Sequence, residues 1–298
     1  MSALPPRSWL YVPAHDGRKI ARAAAGEADA VILDLEDGTP PDLKHQARER
    51  VAQELEDTDF GGSLRFVRVN ALGSAHWNHD VADTLPARPD GYVIPKATPE
   101  AVWRTGQLVQ RLADDDSPLP ALAPIVTEDV RGFFAAGDAL VADALVAYAF
   151  WGSEDLSADL GAWRVKGEDG QMLDVFRVVR SLALLHAVHN RRHAVDTPFL
   201  GLGDRDGLAA EAREAAAMGF SGKQAIHPDH VAVINEMFVP AGPELQEARE
   251  LVGAFADGAP AVVRVQEQMA DAPHLARARR MLALAEVSDG QEEREGAS

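Results

Sequence analysis

Several acidic side chains in this sequence could form a cation site if the fold brings them together. Five of them close short apolar runs: Glu36, Asp37, Glu128, Glu154 and Asp155. Carboxylates crowded at one place repel one another, and either proton uptake or a bound cation relieves that repulsion. Because the chain has no cysteine, a site built from oxygen ligands favours Mg²⁺ over zinc. Taken alone, Asp37 or Asp204 is more simply interpreted as a helix N-cap.

Two basic side chains, Arg68 and Lys96, stand at the ends of two further apolar runs. The guanidinium of Arg68 suits a carboxylate or an enolate oxygen, because its donors form a fixed planar fork. Lys96 could bind the same group, form a Schiff base with a carbonyl substrate, or pair with Glu36. A Schiff-base aldolase is therefore an alternative on residue types alone. His227 is as easily a structural histidine as a catalytic one.

The elements that must position these residues follow from the hydrophobic pattern. Apolar runs alternate with Ala-, Arg- and Glu-rich stretches of helical spacing, such as 208–218, which stops at Gly219. The runs predict eight strands, at residues 8–14, 30–37, 64–70, 91–97, 121–128, 144–155, 194–204 and 221–228.

Eight strand–helix units in 298 residues predict an α/β protein, a (β/α)8 TIM barrel with additional C-terminal helices. The carboxyl ends of the strands share one face of such a barrel, so strand-end charges, including Asp196 and Lys223, would gather there. A doubly wound open sheet is the competing architecture. Its Gly-x-Gly-x-x-Gly turn is absent, because the first run continues as Pro-Ala-His-Asp-Gly.

The chain is expected to divide into three parts. Residues 1–240 hold the barrel, and residues 241–287 form a helical extension that packs on the barrel or on a neighbouring subunit. The last segment, residues 288–298, is rich in charged and small polar residues and is expected to be a disordered tail.

The charge balance of the chain excludes some partners. It has 29 basic and 47 acidic residues, a net charge of −18, which repels nucleic acid and anionic membrane surfaces. No apolar run is long enough to cross a membrane, and the start lacks the pattern of a secretory signal. We therefore expect a cytoplasmic protein that acts on a small molecule, with no nucleic-acid or membrane partner.

Seven motifs of the chain resemble those of the citrate lyase β subunit and its relatives in the HpcH/HpaI aldolase family, which include malyl-CoA and citramalyl-CoA lyases. The resemblance runs from Arg7 to about Ala285. The motifs are RSWLYVPAHDGRKIARA, ADAVILDLEDGTPPDLKHQAR, FVRVNALGSAHWNHD, YVIPKAT, TEDVRGFF, WGSEDLSADLGA and MGFSGKQAIHPDHVAVINEMFVPAGPEL. Together, ILDLED, GSEDLSADLG and the last motif are specific to that family.

The resemblance implies a TIM barrel, a Mg²⁺ cofactor and a homo-oligomer, usually a trimer or a hexamer. It implies that Glu128 and Asp155 are the metal ligands. It also implies that Arg68 binds the keto-acid carboxylate or stabilises the thioester enolate. The charge network around the substrate would then be completed by Glu36, Asp37 and Lys96.

The resemblance further implies a catalytic role for Asp271. In related lyases an aspartate in a Met-Ile-Asp-x-Pro setting reaches into the neighbouring subunit's site, and this chain reads Met-Ala-Asp-Ala-Pro at residues 269–273. A helix N-cap is the alternative interpretation of Asp271, and both can hold together. Two departures from the family pattern are Asp129, where Ser or Thr is usual, and Ala14, where Gly is usual.

The implied activity is that of a Mg²⁺-dependent carbon–carbon lyase. Its substrate would be a 3-hydroxy acyl thioester of the citryl, malyl or citramalyl type, carried on CoA or on an acyl carrier protein, and its products a keto acid and an acetyl thioester. One alternative is a malyl-CoA-type thioesterase. Another is a partner-dependent subunit of a citrate lyase complex, against which the set Arg68, Glu128, Asp155 and Asp271 argues.

Overall fold

The computed structural model describes residues 4–114, 117–240, 242–255, 262–265 and 268–295. Contacts between Cα atoms divide the chain into two compact units, and each is described by itself. One unit spans residues 5–235, and the other begins at residue 236 and includes Leu4.

The first unit is a barrel of eight parallel strands, as predicted. The strands pair in the order β5-β4-β3-β2-β1-β8-β7-β6. Single parallel bridges, Leu122–Val146 and Ile125–Phe150, join the two ends of that order, so the sheet closes on itself. The strands are β1 (Ser8–Pro13), β2 (Ala30–Asp34), β3 (Leu64–Arg68), β4 (Gly91–Ile94), β5 (Ala121–Pro124), β6 (Tyr148–Phe150), β7 (His193–Asp196) and β8 (Gly222–Ala225).

The strands end earlier than their apolar runs suggested. The strand predicted at 30–37 stops at Asp34, and the one predicted at 144–155 is a regular strand only over Tyr148–Phe150. At Asp34 the reason is local, because its carboxylate accepts the backbone N–H groups of Glu36 (2.9 Å) and Gly38 (2.8 Å) and turns the chain out of the sheet. Most of the predicted functional residues therefore lie in the loops just beyond the strands.

Helices follow the strands around the barrel. Asp204 caps one of them through the backbone N–H of Gly207 (2.9 Å), and that helix stops at Gly219, whose φ is 109°. The helices are α1 (Gly17–Ala24), α2 (Lys44–Asp57), α3 (Trp77–Thr84), α4 (Pro99–Leu112), α5 (Val130–Phe134), α6 (Ala136–Ala139), α7 (Glu154–Asp159), α8 (Asp174–His189), α9 (Arg205–Met218) and α10 (Asp229–Met237), with 3₁₀ turns at Pro41–Leu43 and Leu85–Ala87.

Alternate residues of the strands fill the barrel interior. The buried ring of Trp9 lies edge-on to Phe66 and Phe150, each with its ring centroid 4.9 Å away. Side chains two positions apart in a strand point to the same face. Tyr11 and Arg68, two residues after Trp9 and Phe66, therefore face the same interior one layer closer to the carboxyl end.

The second unit contains two helices and a small hairpin. The hairpin was not among the predicted elements. A core of Ala248, Leu251, Val263, Ala270 and Ala278 holds the unit together. Its elements are α11 (Gly242–Ala254), the antiparallel strands β9 (Val263–Val265) and β10 (Gln268–Ala270), and α12 (Ala272–Glu295).

Helix α12 continues into the segment 288–298, for which a disordered tail was predicted, and ends at Glu295. Residues 296–298 of that segment lie outside the described residues. In the described part of the chain, no helix combines the length and the apolar character needed to cross a membrane.

Candidate active site

A cavity of about 290 Å³ opens at the carboxyl ends of the strands. It brings together three residues to which the family resemblance gives roles at the metal or the substrate, Arg68, Glu128 and Asp155. A wider and more open hollow of about 540 Å³ lies beside α1 and α2, but none of these three residues lines it. We therefore take the strand-end cavity as the candidate active site.

Arg68, the last residue of β3, is held in a single orientation. Its Nε and Nη2 atoms donate to Asp34 Oδ1 (2.7 Å) and Oδ2 (2.6 Å), its Nη1 atom lies 3.1 Å from Glu36 Oε2, and it stacks on the Tyr11 ring, 4.9 Å from the centroid. Burial lowers the pKa of Arg68, but the carboxylate of Asp34 outweighs it and the net shift is upward. The guanidinium is thus a fixed positive group at the cavity wall.

Lys96 pairs with Glu36, one of the three roles open to it from the sequence. Its Nζ atom donates to Glu36 Oε1 (2.7 Å) and lies 3.9 Å from Asp37 Oδ2. Burial lowers the pKa of Lys96, whereas the Glu36 carboxylate raises it more, so the ammonium is stabilised. A Schiff base forms from the neutral amine, and this environment therefore weighs against a Schiff-base aldolase.

The backbone of Lys96 has a φ of 47°, in the left-handed region that residues with a Cβ rarely adopt. In this conformation the backbone N–H of Lys96 donates to Glu128 Oε2 in a short hydrogen bond. The strained residue therefore connects two carboxylates, Glu36 through its side chain and Glu128 through its backbone.

Glu128 is almost fully buried. Burial, followed by the charge of Glu36, raises the pKa of Glu128 to about 8, and Asp155 adds to the shift. Asp155 lies in the first turn of α7 and lines the same cavity. Glu128 and Asp155 thus line one cavity, and the charge of Glu36 also acts on Glu128.

This donor set fits a divalent cation with oxygen ligands. A cation beside Glu128 and Asp155 would stabilise the charged form of Glu128, which burial and the neighbouring carboxylates disfavour. Mg²⁺ uses one or two protein carboxylates and fills its other positions with water and substrate oxygens. The described residues include no group of three or more His, Cys, Asp or Glu side chains arranged around a metal position.

The loop that precedes α7 and Asp155 is held by the chain segments that follow β5 and β7. The backbone N–H of Gly152 donates to Thr127 Oγ1 (3.0 Å), and that of Ser153 donates to Thr197 Oγ1 (3.3 Å). Asp129, the departure from the family pattern noted above, caps α5 through the backbone N–H of Gly132. It therefore orders the chain just after Glu128.

Glu36, Asp37 and Lys96 are not among the residues that line the cavity. Asp37 is largely exposed and reaches the charge network only through its long contact with Lys96. Asp271 belongs to the second unit, where it directly precedes α12 and its Oδ1 atom lies 2.6 Å from His274 Nδ1. The role of Asp271 in the reaction stays a prediction.

Asp196 and Lys223, which the sequence placed with the strand-end charges, face the helices instead of the cavity. Lys223 donates to Asp196 Oδ2 (2.8 Å) and to Glu211 Oε1 on α9 (2.8 Å), and Arg180 on α8 donates to Asp196 Oδ1 (3.0 Å). Both side chains are fully buried. They form an ion cluster between barrel and helices because alternate strand residues point outwards.

Among the cavity residues that were not predicted from the sequence are Tyr11, Asp34 and Gln224. Asp34 lies two positions before Glu36 and Tyr11 two positions after Trp9, so the alternation of side chains along a strand was the available signal. Gln224 is adjacent to Lys223 and points to the opposite face of β8.

Comparison with protein families gives two matches. The model described as HpcH/HpaI aldolase/citrate lyase matches residues 7–228. A second model, described as a C-C bond lyase of the TIM-barrel fold, matches residues 172–288. The first covers more than half of the chain.

Individual relatives agree with these matches. The mitochondrial citramalyl-CoA lyase of Rattus norvegicus is 33% identical over 302 residues, covering 95% of this chain and 86% of the relative. A (3S)-malyl-CoA thioesterase of Cereibacter sphaeroides is 32% identical, with 96% of both chains covered. The crystal structure of CitE from Mycobacterium tuberculosis with magnesium, acetoacetate and coenzyme A is similar with a TM-score of 0.82 and 34% identity, covering 95% of this chain and 98% of that one.

Proposed function

The chain belongs to the HpcH/HpaI aldolase/citrate lyase family and is a carbon–carbon lyase, and from this premise we propose that its substrate is a 3-hydroxy acyl-CoA. The bond cleaved is the one between the hydroxyl-bearing carbon and the carbon next to the thioester carbonyl. The products are a keto acid and acetyl-CoA. The observation that carries the proposal is the cavity that unites Arg68, Glu128 and Asp155.

Glu128 and Asp155 would hold Mg²⁺, the cation found in the structure of the CitE relative. When bound, Mg²⁺ would polarise the substrate's hydroxyl and carboxylate oxygens and favour loss of the hydroxyl proton. Glu128 supplies one buried carboxylate, and its hydrogen bond from the Lys96 backbone orients it. Asp155 supplies the second from the first turn of α7, and Thr127 and Thr197 hold the loop just before that helix.

Arg68 stabilises the negative charge that develops on the thioester. When the carbon–carbon bond breaks, its electron pair passes into the acetyl thioester and forms an enolate, which then takes up a proton to give acetyl-CoA. Asp34 and Glu36 fix the guanidinium before the reaction begins, so little reorganisation is needed as the charge appears. We assign the proton transfers to Asp271, by its position in the family motif.

The charges of the cavity favour an acyl group with one carboxylate. Of the described residues that line it, Arg68 is the one cation, against the four acids Asp34, Glu128, Glu154 and Asp155. Asp34 and Glu36 already engage Arg68. The second free carboxylate of a citryl thioester would find no additional positive side chain on this wall, so we propose malyl-CoA or citramalyl-CoA as the substrate.

A thioesterase is the second candidate function. It is favoured by the malyl-CoA thioesterase relative, which matches over 96% of this chain. The same two carboxylates and Arg68 would direct a water molecule at the thioester carbonyl and release the free hydroxy acid and CoA. The two reactions differ only in which bond of the same substrate is broken.

The deciding experiment separates the products by mass. Malyl-, citramalyl- and citryl-CoA are each incubated with the protein and Mg²⁺. Acetyl-CoA with glyoxylate or pyruvate, lost on addition of EDTA and in Glu128→Ala, supports the lyase, and citryl-CoA is expected to react slowest. Free hydroxy acid with CoA would establish the thioesterase instead. No turnover of any CoA ester would favour a carrier-protein substrate or a partner-dependent subunit.

A further inference from the structure

Gln224 lies inside the barrel on β8, and the reaction outlined above gives it no role. It is 4% exposed and lines the candidate active site. Its amide makes three hydrogen bonds, each to a different part of the barrel. Nε2 donates to the backbone carbonyls of Trp151 (2.9 Å) and Asp196 (3.1 Å), and Oε1 accepts the hydroxyl of Tyr11 (3.1 Å).

These partners determine which way the amide points. The two carbonyl oxygens accept hydrogen bonds and donate none, so the NH₂ group must face them. The amide oxygen then faces Tyr11, which must donate. Burial raises the pKa of Tyr11, so the phenol keeps its proton and can do so. The three bonds are therefore consistent only in the observed orientation of Gln224.

The hydrogen bonds of Gln224 connect it to two groups of the proposed reaction, the Arg68 guanidinium and the Asp155 carboxylate. Tyr11 stacks on the guanidinium of Arg68, 4.9 Å from its ring centroid. Trp151 is the first residue after β6, and the short loop that starts there leads into α7, whose first turn carries Asp155. The side chain of Trp151 is also held, because its Nε1 atom donates to Asp196 Oδ1 (2.7 Å).

We propose that Gln224 is a positioning residue. Through Tyr11 it fixes the Arg68 guanidinium, and through the Trp151 carbonyl it fixes the start of the loop that leads to Asp155. Arg68 is then kept at a set distance from the metal-binding carboxylates. The inference rests on the proposed function for its effect on turnover, and on the contacts together with the proposed Mg²⁺ ligands for its effect on Mg²⁺ binding.

The test uses Gln224→Met, which keeps the volume and removes the three hydrogen bonds, and Tyr11→Phe, which removes one. Mg²⁺ affinity is measured by titration calorimetry, and kcat and KM with the preferred acyl-CoA. We expect Gln224→Met to weaken Mg²⁺ binding about fivefold or more and to lower kcat about tenfold or more with a smaller change in KM. Tyr11→Phe is expected to lower kcat while Mg²⁺ affinity stays within about twofold.

Tyr92→Phe is the matched control. Tyr92 is a buried tyrosine on β4 whose hydroxyl lies 3.1 Å from Thr84 Oγ1, among the helices and not at the cavity. Its loss is expected to lower thermal stability without changing Mg²⁺ affinity or kcat. In the double variant Tyr11→Phe/Gln224→Met, kcat should be no lower than in Gln224→Met alone, because the path through Tyr11 is already broken.

The proposal is overturned if Gln224→Met, like Tyr92→Phe, leaves Mg²⁺ affinity and kcat unchanged. It is also overturned if the fall in kcat of the double variant equals the product of the falls in the two single variants. Gln224→Glu covers the case in which the methionine variant does not fold. Gln224→Glu keeps an acceptor for Tyr11 and loses both amide donors, so we expect weakened Mg²⁺ binding. Unchanged Mg²⁺ affinity would refute the role of the hydrogen bond to the Trp151 carbonyl. If the wild type turns over no acyl-CoA, the proposed function fails, and the Mg²⁺ titrations still decide the inference.

Discussion

Individual side chains at this site are positioned by charge as much as by packing. Arg68 has a bidentate partner in Asp34 and a second carboxylate in Glu36. The backbone of Lys96 adopts a left-handed conformation, in which its N–H group donates a hydrogen bond to Glu128. Such strain persists where surrounding contacts over-determine a residue, and at Lys96 those contacts are the two carboxylates.

Arg68→Lys is expected to lower kcat/KM by about 10²-fold or more. A lysine ammonium cannot make the paired bonds to Asp34 or stack on Tyr11 in the same way. Steady-state kinetics with the preferred acyl-CoA give the measurement. The control is Arg65→Lys on the same strand, which weakens a comparable pair with Asp90 (3.1 Å) and should leave kcat/KM within about twofold. Equal losses in both variants would remove the special role of Arg68.

Glu128→Gln is expected to weaken Mg²⁺ binding about tenfold or more, because an anionic ligand becomes a neutral amide. Titration calorimetry on the metal-free protein measures this without any substrate. Glu154→Gln makes the same change at the same cavity wall and is expected to cost less than about threefold. If Glu154→Gln were the more harmful change, the assignment of the metal ligands would have to be revised.

At the scale of elements, the buried ion cluster ties β7 and β8 to helices α8 and α9. Asp196 accepts from Arg180, Lys223 and Trp151, and all four side chains are buried. Removing one charge from such a cluster leaves a buried opposite charge without its partner, which lowers the free energy of unfolding by about 3–5 kcal/mol. The cluster lies outside the cavity, so its contribution is to stability and to the placement of the strand ends.

Asp196→Asn is therefore expected to lower the free energy of unfolding at neutral pH by about 3 kcal/mol or more. Burial raises the pKa of Asp196, but Lys223 and Arg180 outweigh it and the net shift is downward. The stabilisation is then complete above the pKa of the unfolded state, about 3.9, and is lost as the pH falls through the lower pKa of the folded state.

The difference between wild type and Asp196→Asn should thus be constant above about pH 5 and shrink below about pH 4. Urea unfolding followed by tryptophan fluorescence at several pH values gives the comparison. Asp90→Asn, at the partly exposed pair with Arg65, should cost only about 1 kcal/mol or less at neutral pH. A pH-independent difference for Asp196→Asn would mean that its charge does not stabilise the fold.

On the scale of the whole molecule, α8 presents an apolar strip to the outside. Its members are between 37% and 61% exposed and recur three and four positions apart, the spacing of one helix face. They are Val175, Val178, Leu182, Leu185 and Val188. Contiguous exposed apolar surface of this kind marks an interaction site, and a second copy of the chain is the partner we expect.

Val178→Glu/Leu185→Glu is expected to reduce the mass in solution to that of the single chain, 32.0 kDa, because charge on the strip opposes its burial. Light scattering after size exclusion gives the mass. Trp103→Glu, at another exposed apolar residue on α4, should leave the assembly intact. If Asp271 acts in the active site of a neighbouring subunit, the monomeric variant should also lose nearly all activity. A fully active monomer would mean that Asp271 has no role in a neighbour's site.

The sequence alone was enough to predict the barrel and the family. Eight apolar runs alternating with helical stretches predicted eight strand–helix units, and in the structure the eight strands close into one sheet. The strand-end positions of Arg68, Glu128 and Asp155 placed them on a common face, since parallel strands end together in a barrel. The hairpin β9–β10 was missed because three-residue strands are too short for a periodic signal.

Only the tertiary structure decided which side chains face the cavity. Lys223 and Gln224 are neighbours, yet the amide enters the barrel and the ammonium joins the helices. Which face of a strand points inwards depends on how the whole sheet closes, and a shift of one residue reverses every side chain. The same closure paired Arg68 with Asp34 of the adjacent strand, a contact between residues 34 positions apart that local patterning does not encode.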